Sequence, residues 1–212
     1  ASRTLFIEEK SVIQRIASMV QLASEIRFQT REVHEWLGKS LRFSSRTANR
    51  GDGMDIATLA LPPGGGLFLR LVSDWHRMRI LNRLGIYKVL SAIDSAPIKS
   101  APGLIAVIGG TDALETINAG RVMGRTWTLM NSQGLSIHPY YVIPDQLARY
   151  RDGTIPSNLI ASARSILQGC KRDFKLQKGE TLHMIFRAGY STKSPVYSQR
   201  LPLGAVYLEE LN

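Results

Sequence analysis

The chain has 212 residues, enough for one substantial domain, with 44% of them apolar and 21% charged, an ordinary globular composition. No apolar run reaches the roughly 18 residues a membrane-spanning helix needs, residues 1–10 show no basic-then-apolar leader pattern, and the single cysteine, Cys170, excludes an internal disulfide framework, so a reducing, cytoplasmic setting is expected. Against 17 Asp and Glu stand 27 Lys and Arg, a net +10 that suits an anionic partner; yet the basic residues are dispersed and read as a solvated surface rather than as a footprint for nucleic acid or membrane.

In chain order, Val12, Ile16, Met19, Val20, Ala23 and Ile26 recur at helical spacing and predict an amphipathic helix over residues 8–28. A second helix is expected over 31–41, where Val33, Trp36 and Leu37 share a face. Residues 44–53 are polar loop, and Leu61-Pro62-Pro63-Gly64-Gly65-Gly66 is the strongest break in the chain. Helix is expected again over 67–93, with an interruption near Gly85. Pro97 to Pro102 leads into Gly103-Leu104-Ile105-Ala106-Val107-Ile108, a short apolar run typical of a strand buried on both faces.

A long helix follows from Asp112 to a stop at Gly134, with Thr111 or Asp112 as its N-cap. It carries Leu114, Ile117, Leu129 and Met130, together with Ala119, Gly120 and Gly124. Glycine inside a helix costs about 1 kcal/mol relative to alanine. Two of them four residues apart mark a close approach, either a tight crossing within the chain or a helix packed across a subunit interface. A strand is expected over 135–143, short helices from Pro144 and from Ser157 to about 168, and a strand over 181–186. Residues 191–212 read as a tail with little helical character. The whole is expected to be α+β, with 1–96 mainly helical and 97–212 holding the strand–helix–strand core.

Few constellations suit catalysis. Cys170 has no histidine placed beside it by any motif, and no nucleophile elbow occurs. The four histidines, His34, His76, His138 and His183, are scattered without metal-ligand spacing, so no metal site is expected. Ile108-Gly109-Gly110-Thr111 could aim backbone N–H groups at an anion, although it lacks dinucleotide and Walker spacing. In the tail, Arg200 stands in an extended, proline-bearing segment and could present a rigid fork to a phosphate.

Taken in sequence, several pieces resemble the nitroreductase-like flavoprotein superfamily. They are the strand 103–108, the helix with Ala119-Gly120-Arg121 and Trp127 ending in Ser132-Gln133-Gly134-Leu135-Ser136, the strand ending Phe186-Arg187-Ala188-Gly189-Tyr190, and the tail Ser198-Gln199-Arg200-Leu201-Pro202-Leu203. Residues 26–37 and Asp52-Gly53-Met54 look most like its divergent branch, which includes tandem nitroreductase-like proteins and fusions to an adenylating domain. The resemblance covers residues 6–208. It implies helices around a central, mainly antiparallel sheet, with the long helix at the interface of a homodimer or of a pseudo-dimer of tandem domains. It also implies FMN as cofactor, NAD(P)H as hydride donor and a small-molecule electron acceptor. Gly134, Leu135 and Ser136 would lie near the flavin ring, with Pro139 and Tyr140 also candidates, and Arg200 would contact its phosphate. The alternatives carried with it are a degenerate domain that binds flavin or dimerises without catalysis, and a basic nucleic-acid-binding protein. The family's N-terminal arginine-bearing helix and the flavin-lining segment after it have no counterpart here. The chain is therefore expected to be the C-terminal part of a longer protein or to belong to a branch without them.

Overall fold

The computed structural model describes residues 2–59, 61, 63–192, 194, 196–197 and 199–207; Pro62 of the chain break and Ser198 of the tail motif lie outside them. The elements are, in order, β1 (Arg3–Ile7), α1 (Lys10–Gln29), α2 (Arg31–Ser40), β2 (Leu41–Arg42), α3 (Ser45–Ala48), β3 (Met54–Asp55), α4 (Gly65–Val72), α5 (Trp75–Arg83) and α6 (Ile86–Lys99). They continue with β4 (Gly103–Gly110), α7 (Ala113–Ser132), β5 (Ser136–Tyr140), α8 (Val142–Arg151), α9 (Ile160–Asp173) and β6 (Glu180–Gly189). Short 3-10 turns stand at Ile56–Leu59, Ser157–Leu159 and Leu203–Ala205. The fold is α+β, an antiparallel sheet of order β1-β4-β6-β5 set among helices. No helix among the described residues is long and apolar enough to cross a membrane.

Contacts divide the chain into two compact units, one of residues 1–30 and 85–192, the other of residues 31–84 and 193–212. The first holds the sheet. Its centre, β4, is apolar on both faces: Leu104, Ala106 and Ile108 point one way, Ile105 and Val107 the other. On the first face the sheet meets Ile16, Val20 and Ala23 of α1, Ile98 of α6, Ile143 of α8 and Ile166 of α9 in one continuous core. The opposite face is covered by α7 alone, through Ala119 with Val122, Met123 and Met130 packed on Ile105, Val107 and Phe186.

Strand β6 serves both faces because its register slips beside His183, with Val107 opposite Met184 and Ile108 opposite Leu182. The extra residue of this bulge inverts the alternation. Leu182 and Ile185 therefore reach the multi-helix core, while Met184 and Phe186 turn to α7. The His183 ring then lies with its Nε2 2.9 Å from the Gly110 carbonyl and donates to it.

Several boundaries differ from the expectations. Strand β1 was not among the expected elements; it pairs antiparallel with β4 across about a hundred residues, Phe6 opposite Ile105. The helix expected over 67–93 is α4, α5 and the start of α6: the interruption expected near Gly85 is present, and a second one falls at Asp74. Asp74 ends one segment by capping the next, its carboxylate accepting from the Arg77 N–H at 2.9 Å, and Gly85 at φ +81 opens α6. Helix α6 passes through Pro97 to Lys99 although the proline removes a helical N–H donor, and the buried Ile98 anchors this last turn. The Gly109-Gly110 pair expected to turn toward a helix is still strand, and Asp112 caps α7 through the Glu115 N–H at 2.9 Å.

A buried carboxylate ties α1 to α9. Asp173, with its side chain 1% exposed, accepts from Arg15 of α1 at 2.9 Å and from its neighbour Arg172 at 2.7 Å. Burial by itself would push this carboxyl up, but the hydrogen bonds from Arg172 and Arg15 outweigh it and hold it below its ordinary value. Stability from a lowered carboxyl is present above its unfolded pKa and is lost as pH falls through the folded one. Replacing Asp173 by Asn should lower unfolding free energy at neutral pH by about 1–2 kcal/mol. In urea titrations the gap between wild type and variant should close progressively below about pH 4.

Candidate functional site

The turn singled out by sequence, Gly134-Leu135-Ser136, is the C-terminal stop of α7. Gly134 sits at φ +75, the left-handed conformation that glycine adopts without penalty. Its N–H donates to the Asn131 carbonyl at 3.0 Å, and the Leu135 N–H reaches back to the Met130 carbonyl at 3.0 Å. These two bonds form a Schellman motif, whose usual companion is an apolar contact between the residue after the glycine and the last full turn of the helix. Here Leu135 and Met130 supply it, and both line the same cleft. The amide of Asn131, oriented to satisfy both neighbours, accepts from the Trp127 indole and donates to the Leu135 carbonyl, each at 3.1 Å. The Trp127 ring meets Phe186 edge-on at 5.5 Å.

The cleft holds about 350 Å³ and lies on the α7 side of the sheet, at the end where β4 starts and β6 finishes. Phe6, Ile105, Met130, Leu135, Ala188 and Tyr190 face it. Phe6 belongs to the strand that sequence reasoning missed; the clue was Leu5 and Ile7 alternating with Thr4 and Phe6. Glu8 is the charged residue of the lining, which contains no Lys or Arg. Ser136 opens β5 opposite Gly189 and is exposed.

The other predicted residue, Arg200, belongs to the second unit. Its backbone runs beside Gly51, where a Cβ would stand 2.7 Å from the Arg200 carbonyl carbon, so Gly51 at φ +69 is what lets the tail lie there. Arg200 itself is exposed. Pro139 and Tyr140 lie on β5; Tyr140 is buried and turns to the multi-helix core. Burial, followed by the field of Asp94, pushes the Tyr140 phenol up, and burial, followed by Arg187, pushes His138 down.

The other candidates do not converge. Cys170 is fully buried, and desolvation followed by Asp173 pushes its thiol up to about 12, which leaves it inert. His34 is buried against Trp75 in the second unit. Among the described residues no group of His, Cys, Asp and Glu could hold a metal ion. No protein-family model matches the chain, and no curated protein matches it significantly.

The outer side of α7 is the remaining feature. Leu114, Ile117 and Leu129 are 65%, 56% and 56% exposed. A Cβ built on Gly120 or Gly124 would meet nothing within 4 Å, so these two glycines serve no crossing among the described residues. The turn at Gly134 offers a direct check on the stop itself. Gly134→Ala should cost about 1 kcal/mol in unfolding free energy despite open space around it, purely from the left-handed backbone, as urea denaturation would measure.

Proposed function

We propose that this chain is a nitroreductase-type domain, an FMN-dependent NAD(P)H oxidoreductase that works as a homodimer or as a pseudo-dimer with a tandem domain, paired through the outer face of α7. The observation that carries the reading is that exposed face. The exposed Leu114 and Ile117 share the side of α7 that carries Gly120 and Gly124, and a Cβ on either glycine would meet nothing within 4 Å among the described residues. In a helix, two such glycines sacrifice stability unless another backbone approaches them.

The Leu135 cleft supports the flavin half of the reading. Its volume, about 350 Å³, falls within the range of ligand clefts, and Phe6, Met130, Leu135 and Tyr190 form apolar walls suited to a flat ring. The lining holds no Lys or Arg for a phosphate, so that contact falls to the paired domain. When bound, FMN would supply hydride transfer from the nicotinamide to a small-molecule acceptor. Leu135 and Met130 would keep water from the ring, and the Gly134 turn would hold both side chains in place. A second reading, a domain that pairs through α7 without catalysis, is favoured by the same absence of Lys and Arg from the cleft.

Light scattering, visible absorbance on adding FMN, and NAD(P)H consumption separate the two. The first reading requires a dimer with a perturbed flavin spectrum and turnover; the second requires a dimer with neither. A colourless monomer rejects both. Gly120→Leu and Gly124→Leu are expected to raise the helix-forming tendency by about 1 kcal/mol each and to collide with nothing in their own chain. They should therefore yield a folded monomer. A dimer of undiminished affinity would show that the pairing surface lies elsewhere.

A further inference from the structure

We propose that the groove between α2 and α5 binds the phosphate chain of a nucleotide, with its base against Trp75. This groove belongs to the helical unit, the Leu135 cleft to the sheet unit, and the proposal does not depend on the flavin reading. Residues 31–84 carry nine Lys and Arg against five Asp and Glu, in two basic groups well separated in sequence. The fold brings members of both groups to one groove of about 530 Å³, a size that accommodates a nucleotide.

Gly38 makes the approach possible. A Cβ there would stand 2.6 Å from the Ser73 carbonyl oxygen, so α2 can meet the end of α4 and the start of α5 at this point only through glycine. Lys39 then faces Arg79 across the groove, with Arg31 beside them.

Charge accounting decides the sign of the ligand. Glu35 is engaged by Arg31 at 2.8 Å, and Asp74 caps α5 through the Arg77 N–H at 2.9 Å while keeping its charge, so Arg31, Lys39 and Arg79 outnumber the lining's two carboxylates by one. Arg42, the other nearby cation, is held by Asp52 at 2.8 Å and by the Lys39 carbonyl at 2.7 Å. Among the described residues, Lys39 and Arg79 form no ion pair. Two cations facing one groove without carboxylate partners attract a polyanion more than a single carboxylate. The half-buried Trp75 ring is braced by the buried His34 imidazole, centroids 5.5 Å apart, and supplies an aromatic wall for a base.

Isothermal titration of the full chain with ADP, pyrophosphate, NADPH, FMN and a single-stranded oligonucleotide tests this. ADP should bind, and NADPH too if the natural source is a dinucleotide. Lys39→Ala and Arg79→Ala should each weaken ADP about tenfold, and Glu35→Gln, by releasing Arg31, should tighten it roughly threefold. Trp75→Leu should weaken ADP and leave pyrophosphate unchanged; should that variant unfold, the exposed Lys39 and Arg79 variants still decide. ADP affinity indifferent to Lys39 and Arg79 overturns the proposal. ADP binding no tighter than pyrophosphate overturns its assignment to a nucleotide. FMN binding through Lys39 and Arg79 without any ADP binding would return the groove to the flavin. An oligonucleotide that displaces ADP and weakens steeply with salt would make the surface a nucleic-acid site instead.

Discussion

The sheet unit depends on one constraint: β4 is apolar along both faces and must be covered on both. Leu104, Ala106 and Ile108 are buried by a layer assembled from α1, α6, α8 and α9. Ile105 and Val107 are buried by a single helix. The asymmetry has consequences. A lone helix over a sheet uses only the stripe that touches it, here Ala119, Val122, Met123 and Met130. Apolar residues on its back then have no structural task inside the chain. Leu114 and Ile117 are such residues, and Gly120 and Gly124 on their side of the helix have no neighbour among the described residues either. The cover on the second face is therefore thin, and its outer surface is built like an inner one.

The cleft follows from where that single cover stops. Helix α7 lies mainly over β4 and β5, and Phe6 of the edge strand β1 keeps much of its ring exposed, at 59%. At the other end the Schellman turn halts the helix at Gly134 and sends the chain straight into β5, which pairs with β6. Met130 and Leu135 form one wall and the β1–β4 edge another, with Tyr190 at the rim. A longer helix would fill this space, and a strand pairing elsewhere would open it to solvent. The left-handed glycine thus fixes both the end of a helix and the position of a cavity.

What was legible in the sequence tracks how local each feature is. Helix α7, its Gly134 stop and strand β4 were readable because periodicity, capping chemistry and glycine conformational freedom all act within a few residues. Strand β1 was not, because five residues alternating Leu5 and Ile7 with Thr4 and Phe6 are stabilised only by a ladder to residues 104–108. Of the two breaks between Gly65 and Lys99, Gly85 was readable as an interruption, whereas Asp74, a small signal within a strong apolar pattern, was not. The His183 bulge left no mark at all, although it decides which side chains of β6 reach which face. The cleft shares that fate. Leu135 came from family resemblance, whereas Phe6 and Ile105 meet it only through strand pairing.

The net charge shows the same limit from another side. Along the chain, +10 is a diffuse property that suits many partners. In the folded units many of the cations are paired, Arg3 with Glu180, Arg15 and Arg172 with Asp173, Arg27 with Asp94, and Arg42 with Asp52, and the excess is carried by those outside such pairs. Those pairs hold α1 to its neighbours and close a loop, and their charges are largely cancelled at contact distance. A ligand responds to the cations that carboxylates have left over, and to whether the backbone allows them to face one another. In the helical unit that allowance comes from Gly38, a residue without charge, because the absence of a Cβ lets α2 approach Ser73 closely enough to bring Lys39 and Arg79 to one groove. Counting charges predicts attraction, whereas the spacing that converts attraction into a site is set by sterics.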